Sequence, residues 1–321
     1  MTFELISMQQ KGSSPMVVLL IALLIVGHFI IPQVKAQNST DLSYVSVAVY
    51  DGGSGVSSEP RETSMAALYW MFRWMNATVE IVNSTGIKLG ILDDFEIIAV
   101  PGGYAYDYYL DLGAGGAKAI QDFVAGGGAY WGTCAGAYYA CQEFEWSEYG
   151  ETGTYYYGLK LFPGRGVGPI VGIADWPNVA MTDVELNKSN GLIDLSQESS
   201  NYNIMYYGGP YFETNGLDGI TTLATYSYND EPAMIAFEYL EGRVFLTGPH
   251  PEWEEDSFRD GSVWDNYLED DGSEWELCER ISLWLASTNS SPGEELPLIP
   301  MLIGSGCIIA LVVIVAVSRR R

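Results

Sequence analysis

The sequence predicts an α/β protein built on a parallel β-sheet with helices on both faces. Through the first half of the chain, short apolar, β-branched runs alternate with longer runs of helical periodicity, which is typical of βαβ units. Several of the short runs end in glycine, proline or aspartate, as buried strands do where they open into loops. The chain has 321 residues, enough for one large domain of this class.

The first half supplies the predicted parallel sheet. Strands are expected at 44–50, 78–82, 96–100 and 129–131, with helices at 61–75 and 115–124. Ligand sites of such sheets lie at the carboxyl ends of the strands. Asp51, Gly102 and Cys134 each follow a predicted strand, so we expect them on one rim of the sheet.

The second half is expected to extend this sheet. Residues 155–212 form short runs separated by glycine, proline and polar residues, which indicates an antiparallel elaboration on the sheet edge. Within it, the aromatic residues 206–212 are expected to pack on the core, with a ligand-binding role as the alternative. Strands at 221–228, 233–237 and 243–247 and a helix at 275–285 complete the prediction.

Apolar runs near both ends predict export and membrane attachment. Residues 16–31 follow Lys11 and precede a Val-Lys-Ala sequence ending at Ala36, which is typical of a cleaved secretory signal. An uncleaved anchor is the alternative. Residues 296–318 have the length and apolarity of a transmembrane helix, with a buried core helix as the weaker alternative.

The arginines at 319–321 are expected to stay in the cytoplasm, so the domain would face the extracellular side of the cell membrane as a single-pass protein. The predicted organisation is a signal peptide (1–36), a domain (37–286), a stalk (287–295), a transmembrane helix (296–318) and a cytoplasmic tail (319–321).

The composition narrows the possible partners. The chain has 41 acidic and 15 basic residues and a formal charge of −26, so it repels nucleic acid, and no nucleic-acid partner is expected. The acidic run 252–276 is expected to be a solvated face, with a calcium loop at 270–272 as the alternative. No metal or cofactor is predicted. Five glycosylation sequons support export: Asn38, Asn76, Asn83, Asn187 and Asn289.

The four cysteines leave an odd number outside the predicted membrane helix, which contains Cys307. A disulfide between Cys141 and Cys278 with Cys134 free and reactive is one possibility. Packing of Cys141 on the helical face below Cys134 is the other.

The glycine-rich stretch 126–138 predicts the reactive centre. It contains Gly132-Thr133-Cys134-Ala135-Gly136, in which small residues flank a possible nucleophile two positions before and after it. A nucleophile on a sharp strand-to-helix turn requires this spacing, because larger residues would clash where the chain reverses. The following helix amino terminus would favour a thiolate. A small buried cysteine is the alternative.

His250 is the only histidine outside the signal run, and it stands in a His-Pro-Glu sequence after a predicted strand. Residues two apart in extended backbone point to the same side, and Pro251 favours extended backbone at His250. Glu252 is therefore expected to orient the imidazole, which would take the proton of the Cys134 thiol. A packed or surface histidine is the alternative.

The attack of a thiol on a carbonyl creates an oxyanion that needs hydrogen-bond donors. The backbone N–H of Ala135 is one candidate, and an N–H of Gly102 or Gly103 is the other, since glycine allows the main chain to approach closely. The alternative is that Pro101-Gly102-Gly103 simply closes a strand.

Four motifs together resemble the N-terminal domain family of eukaryotic biotin–protein ligases, in the class I glutamine amidotransferase-like superfamily. They are PGGY at 101–104, GTCAGAY at 132–138, YGGPYF at 207–212 and GPHPE at 248–252. The resemblance covers about 44–285 and implies a flavodoxin-like sheet. It also implies a Cys-His-Glu triad of Cys134, His250 and Glu252, with oxyanion positions at Gly102 or Gly103 and Ala135.

The chain departs from true glutaminases of that superfamily, which usually have a substrate-contacting glutamine four residues after the nucleophile. Tyr138 stands there, and we expect no ammonia-accepting or biotin-ligase catalytic domain. The sequence thus predicts a cysteine hydrolase acting on an amide-type bond of a small molecule or peptide. A catalytically silent binding or regulatory module is the alternative, and a glyoxalase- or chaperone-like relative is a weaker one.

Overall fold

The computed structural model describes residues 41–53, 59–254, 257–262, 267–269 and 272–287. The predicted signal peptide, the stalk after residue 287, the transmembrane helix and the tail lie outside the described residues, as do Asn38, Asn289 and Cys307. Across the part that is described, no helix combines the length and the apolar character needed to span a bilayer.

A nine-stranded mixed sheet forms the centre of the fold. Its first five strands are parallel and lie in the order β2-β1-β3-β4-β13, which is consistent with a flavodoxin-like sheet. Their bounds are Ser46–Tyr50 (β1), Thr78–Val82 (β2), Ile97–Val100 (β3), Ala129–Thr133 (β4) and Gly242–Thr247 (β13). The predicted strands at 44–50, 78–82, 96–100, 129–131 and 243–247 are confirmed to within two residues at each end.

Four antiparallel strands extend this sheet beyond β13, in the order β12-β11-β8-β9. Their bounds are Pro232–Tyr239 (β12), Ile220–Tyr226 (β11), Ala180–Leu186 (β8) and Asn201–Tyr206 (β9). The predicted antiparallel elaboration on the sheet edge is therefore present, and part of it comes from the expected region 155–212.

The helices are α1 (Glu59–Trp74), α2 (Ser84–Lys88), α3 (Ala105–Ala125), α4 (Ala135–Ala140) and α5 (Trp275–Ala286), with a 3₁₀ turn at Ile91–Asp94. Helices α1 and α5 pack on one face of the sheet, and α3 and α4 pack on the other. Alternate residues of each central strand serve the two faces, as when Val49 joins one core and Tyr50 the other. The fold is thus α/β with helices on both faces, as the sequence predicts.

A second sheet of four strands lies beside the first, in the order β10-β7-β5-β6. Its strands are β5 (Cys141–Glu148), β6 (Glu151–Tyr155), β7 (Phe162–Gly168) and β10 (Tyr211–Glu213). The antiparallel elaboration expected over 155–212 is wrong at β7 on one side, because β7 pairs in parallel with β5. The helix after the glycine-rich turn ends after six residues, so the chain enters β5 at Cys141 instead of continuing helically.

The disulfide between Cys141 and Cys278 does not form. Cys134, Cys141 and Cys278 are all free. Cys141 packs in the core beneath α3 and α4, whereas Cys278 packs with α5 on the opposite face of the sheet. The sheet itself therefore separates the two sulfurs.

The prediction that the acidic run 252–276 forms a solvated face is wrong for several of its residues. Glu252, Glu254, Asp260 and Glu274 are buried. Buried carboxylates need partners: Asp260 accepts the backbone N–H groups of Glu254 and Ser262, and Glu254 pairs with Arg259. These bonds connect Glu254 with both Asp260 and Arg259. Residues 270 and 271 of the alternative calcium loop lie outside the described residues.

Candidate active site

The strand β4 ends in a strained turn that carries Cys134. The backbone of Cys134 has φ 49° and ψ −103°, a region that non-glycine residues rarely occupy. Its N–H donates to the carbonyl of Thr247 at the end of β13, at 2.9 Å. The side chain is only 6% exposed, so reagents reach the sulfur through the cavity above it.

Two glycines make this turn possible. A Cβ at Gly136 would lie 2.1 Å from the carbonyl oxygen of Val100, and a Cβ at Gly132 would lie 2.9 Å from the carbonyl oxygen of Gly136. Real Cβ atoms do not approach backbone this closely. The small residues on either side of Cys134 are therefore a steric requirement of the turn, as the spacing predicts.

The imidazole of His250 is held on all sides. Its Nδ1 lies 2.9 Å from Oε1 of Glu252, and the ring stacks on Trp253 at 4.3 Å with an interplanar angle of 8°. A Cβ at Gly102 would lie 2.5 Å from Cε1 of the ring, so only glycine leaves room for it. The His250 backbone N–H donates to the carbonyl of Met205 at 2.8 Å.

The surroundings of His250 favour its protonated form. Burial lowers its pKa, but the Glu252 carboxylate and the neighbouring Cys134 outweigh burial and raise the pKa to about 10. The Cys134 sulfur raises the pKa of the ring, although its own hydrogen bond is donated to the carbonyl oxygen of Tyr207, at 3.5 Å. Among the described residues, Nε2 of His250 makes no hydrogen bond of standard geometry.

Ser64 completes the site, and the sequence analysis missed it. This fully buried residue of α1 donates its hydroxyl to Oε1 of Glu252 at 2.7 Å and accepts the N–H of Gly102 at 2.8 Å. It therefore joins the carboxylate to the Pro101–Gly103 turn. Ser64 directly precedes the apolar run 65–72 of this helix, and a polar residue on the buried face there was the signal that could have revealed it.

The two proposed oxyanion positions of the turn differ in the structure. The N–H of Gly102 is engaged with Ser64, and its carbonyl accepts the hydroxyl of Tyr108 at 3.0 Å. Within the described residues, the N–H of Gly103 has no backbone or side-chain acceptor, and Gly103 lines the cavity together with Ala135. Gly103 and Ala135 are thus the donors available beside the sulfur, and Gly102 instead positions His250.

A cavity of about 510 Å³ opens above Cys134, and most of its wall is aromatic. Its aromatic residues come from the α3 amino terminus, from α4, from the second sheet and from two loops: Tyr104, Tyr106, Tyr138, Phe144, Trp146, Tyr155, Tyr157, Trp176 and Tyr207. The lining formed by the described residues contains no lysine, arginine or histidine. The sequence did not single out this cavity, because segments distant in the chain build it.

Tyr138 forms part of the cavity floor. Its hydroxyl donates to the carbonyl of Gly208 at 3.0 Å, and its ring packs against Phe144 and Trp146. The segment that it holds, 207–210, lies directly on the Gly248-Pro249 turn, since a Cβ at Gly209 would lie 1.8 Å from the Gly248 carbonyl oxygen. The sequence analysis expected residues 206–212 to pack on the core. Tyr206 and Phe212 are buried as expected, whereas Tyr207 lines the cavity.

Asp51 is not part of the cavity lining. It follows β1 at the same sheet edge as predicted, and its carboxylate accepts the N–H of Gly53 in the adjoining loop at 2.9 Å.

The fold, with Cys134 on the sharp turn (here called the elbow) between β4 and α4, is that of the class I glutamine amidotransferase-like group of α/β proteins. Residues 45–274 match the family model described as biotin-protein ligase, N terminal. The chain belongs to the biotin–protein ligase N-terminal domain family.

The chain spans only part of the length of the curated relatives that it matches. The chain is 31% identical over 166 residues to an uncharacterized protein of Chlamydia muridarum, covering 49% of this chain and 61% of the relative. It is 28% identical over 165 residues to the biotin–protein ligase of Schizosaccharomyces pombe, covering 49% of this chain and 25% of the relative. The glutaminase domain of CTPS from Trypanosoma brucei aligns at 12% identity with a TM-score of 0.37, covering 65% of this chain and 86% of that domain.

The structural role of Ser64 leads to a prediction. The substitution Ser64→Ala leaves the buried Gly102 N–H without its acceptor and removes a donor from Glu252, so it should lower the free energy of unfolding by about 1–3 kcal/mol. Ser282→Ala is the matched control, because Ser282 is also buried in a helix and its hydroxyl has no partner among the described residues. Urea unfolding measures both. Equal stability of the two variants would contradict the bridging role of Ser64.

Proposed function

We propose that this protein is a cell-surface, membrane-anchored cysteine hydrolase acting on an amide-type bond. The observation that carries the proposal is a strained elbow cysteine on the floor of a cavity, beside an imidazole whose pKa Glu252 and Cys134 raise to about 10. Cys134 is the nucleophile, His250 the acid–base group and Glu252 the residue that orients it. A protonated imidazole stabilises negative charge on a neighbouring sulfur.

The first half of the reaction forms an acyl-enzyme. The reacting state is a Cys134 thiolate beside a His250 imidazolium, in which the proton of the thiol lies on the imidazole. The sulfur attacks the carbonyl carbon, a C–S bond forms, and the carbonyl π electrons move to oxygen. The N–H groups of Ala135 and Gly103 stabilise that oxyanion. When the carbonyl re-forms, the C–N or C–O bond breaks, and the leaving group takes the proton of the His250 imidazolium.

The second half restores the enzyme. Water attacks the thioester carbonyl and gives its proton to His250, while the C–S bond breaks and the carboxylic acid leaves. The site is thereby restored, with the proton on His250 and the negative charge on the Cys134 sulfur. The net change is hydrolysis of one amide or ester bond by one water, with no cofactor required.

Membrane anchoring belongs to the same proposal. The apolar segments 16–31 and 296–318 and the terminal arginines support export with a carboxyl-terminal anchor. Three sequon asparagines of the described domain, Asn76, Asn83 and Asn187, are exposed, as glycan attachment requires.

The anchoring proposal predicts the fate of a truncated chain. The full chain should remain in the membrane pellet after carbonate extraction, whereas a chain ending at residue 287 should appear in the medium, because it keeps the signal and loses the anchor. Immunoblotting of the two fractions measures this. Retention of the truncated chain in the membrane pellet would instead show that the amino-terminal segment is the anchor.

A binding or regulatory module is the second candidate, and one contact favours it. The Cys134 thiol donates to the Tyr207 carbonyl oxygen, and the hydroxyl of Tyr138 is committed to Gly208. Such a site could hold a ligand without turning it over. The reactivity of the sulfur distinguishes the two candidates.

The thiol's alkylation rate tests the enzyme proposal. At pH 7, iodoacetamide should alkylate Cys134 about tenfold faster than it alkylates the thiol of free glutathione, because the imidazolium stabilises the negative charge of the Cys134 sulfur. His250→Gln should remove this advantage, and Glu252→Gln should reduce it. Peptide mass spectrometry measures the rate, and buried Cys141 and Cys278 serve as internal controls that stay unmodified while the domain is folded.

Two results would contradict the proposal. One is a Cys134 rate no higher than that of glutathione. The other is an unchanged rate in His250→Gln while Cys141 and Cys278 remain protected, since that variant is then folded but lacks the base.

A further inference from the structure

The aromatic rings above Cys134 form a corner centred on Trp176. Trp176 stacks on Tyr207 at 4.9 Å, meets Trp146 edge-on at 5.3 Å and meets Tyr104 edge-on at 6.0 Å. All four rings also line the cavity, so part of each ring borders the same space. Such a corner attracts a cation placed over the ring faces.

Two carboxylates lie near this corner among the described residues. Glu148 accepts the indole N–H of Trp146 at 3.3 Å. Burial raises the pKa of Tyr104, and the negative charges of Glu148 and Asp107 raise it further, which places both carboxylates within electrostatic reach of that ring. The corner therefore lies in a negative potential, and the chain as a whole carries a formal charge of −26.

The arginine that pairs with strand β5 faces away from the cavity. Along β5, Phe144 and Trp146 line the cavity, while the alternate residues Glu143 and Glu145 pair with Arg165 of β7. Successive residues of a strand point to opposite faces of its sheet. Arg165 thus lies on the far face, where three carboxylates, including Glu213, surround it.

The aromatic lining and the nearby carboxylates favour a positively charged ligand group over a negatively charged one. A free amino acid such as glutamine brings a carboxylate, and the described lining offers it no basic side chain. A cation meets aromatic faces and two carboxylates instead. The cavity volume of about 510 Å³ is ample for an ammonium head group and the chain that joins it to a carbonyl at Cys134.

We propose that the aromatic corner of Trp146, Trp176 and Tyr207 binds an ammonium group, quaternary or protonated, of the molecule on which this protein acts. That the same molecule presents its amide or ester carbonyl to Cys134 rests on the proposed function. The binding of the cation does not, because the corner holds the head group whether or not the sulfur reacts.

Choline and its neutral isostere 3,3-dimethyl-1-butanol test the proposal. They differ only in nitrogen or carbon at the branched centre, so the comparison isolates the charge. The full-length protein in a non-ionic detergent should bind choline at least about tenfold more tightly than the isostere, as a partly desolvated cation–π site allows. Isothermal titration calorimetry measures both. Equal affinities, or no binding of choline, would overturn the proposal.

Substitutions locate the binding. Trp176→Leu should weaken choline binding about tenfold, and Glu148→Gln should weaken it severalfold. Trp70→Leu is the matched control, because Trp70 is exposed on α1 and does not line the cavity. Its affinity should equal that of the unmodified protein. A Trp176→Leu protein that binds choline as well as Trp70→Leu does would also overturn the proposal.

The same measurements separate this proposal from the proposed function. Binding is repeated with Cys134→Ser, which should keep the choline affinity and lose alkylation. Choline should also slow iodoacetamide modification of Cys134 in the unmodified chain. Choline binding with an unreactive thiol would contradict the hydrolase alone, and a reactive thiol without choline binding would contradict the cation site alone.

Discussion

The buried pair of His250 and Glu252 is the interaction on which the site depends. An imidazole and a carboxylate removed from water are costly unless each is hydrogen-bonded. Oε1 of Glu252 meets both Nδ1 of His250 and the hydroxyl of Ser64, and Ser64 in turn accepts the N–H of Gly102. One carboxylate oxygen thus ties the strand β13 loop, helix α1 and the turn after β3 into a single arrangement.

Backbone contact without side chains keeps that arrangement compact. Gly102 leaves room for the His250 ring, Gly136 lets the elbow lie against β3, and Gly209 lets the segment carrying Tyr207 lie on Gly248. Each of these glycines is needed because another main chain or ring occupies the position of its Cβ. The carboxyl ends of β3, β4 and β13 therefore converge closely enough for Cys134, Gly103 and Ala135 to line one cavity, with the His250 imidazole buried behind the turn at Gly102.

The sequence predicted what depends on local pattern and failed where packing decides. The parallel strands, the antiparallel extension and the glycine spacing around Cys134 follow from periodicity and sterics. The disulfide prediction was wrong because residue spacing does not show that the sheet lies between Cys141 and Cys278. Ser64 and Trp176 were missed because one polar residue beside an apolar helical run and one tryptophan in a loop gain their roles only from distant partners. The catalytic roles of Cys134, His250 and Glu252 stay predictions.

The titration of His250 tests the central claim most directly. Only His28 and His250 are histidines, so imidazole NMR signals are few, and His250→Gln assigns them. The account predicts a pKa of about 10 for His250, above its ordinary 6.5, and a lower pKa in Glu252→Gln and in Cys134→Ser. A folded protein in which His250 titrates near 6.5, unaffected by either substitution, would show that carboxylate, imidazole and sulfur do not act as one unit.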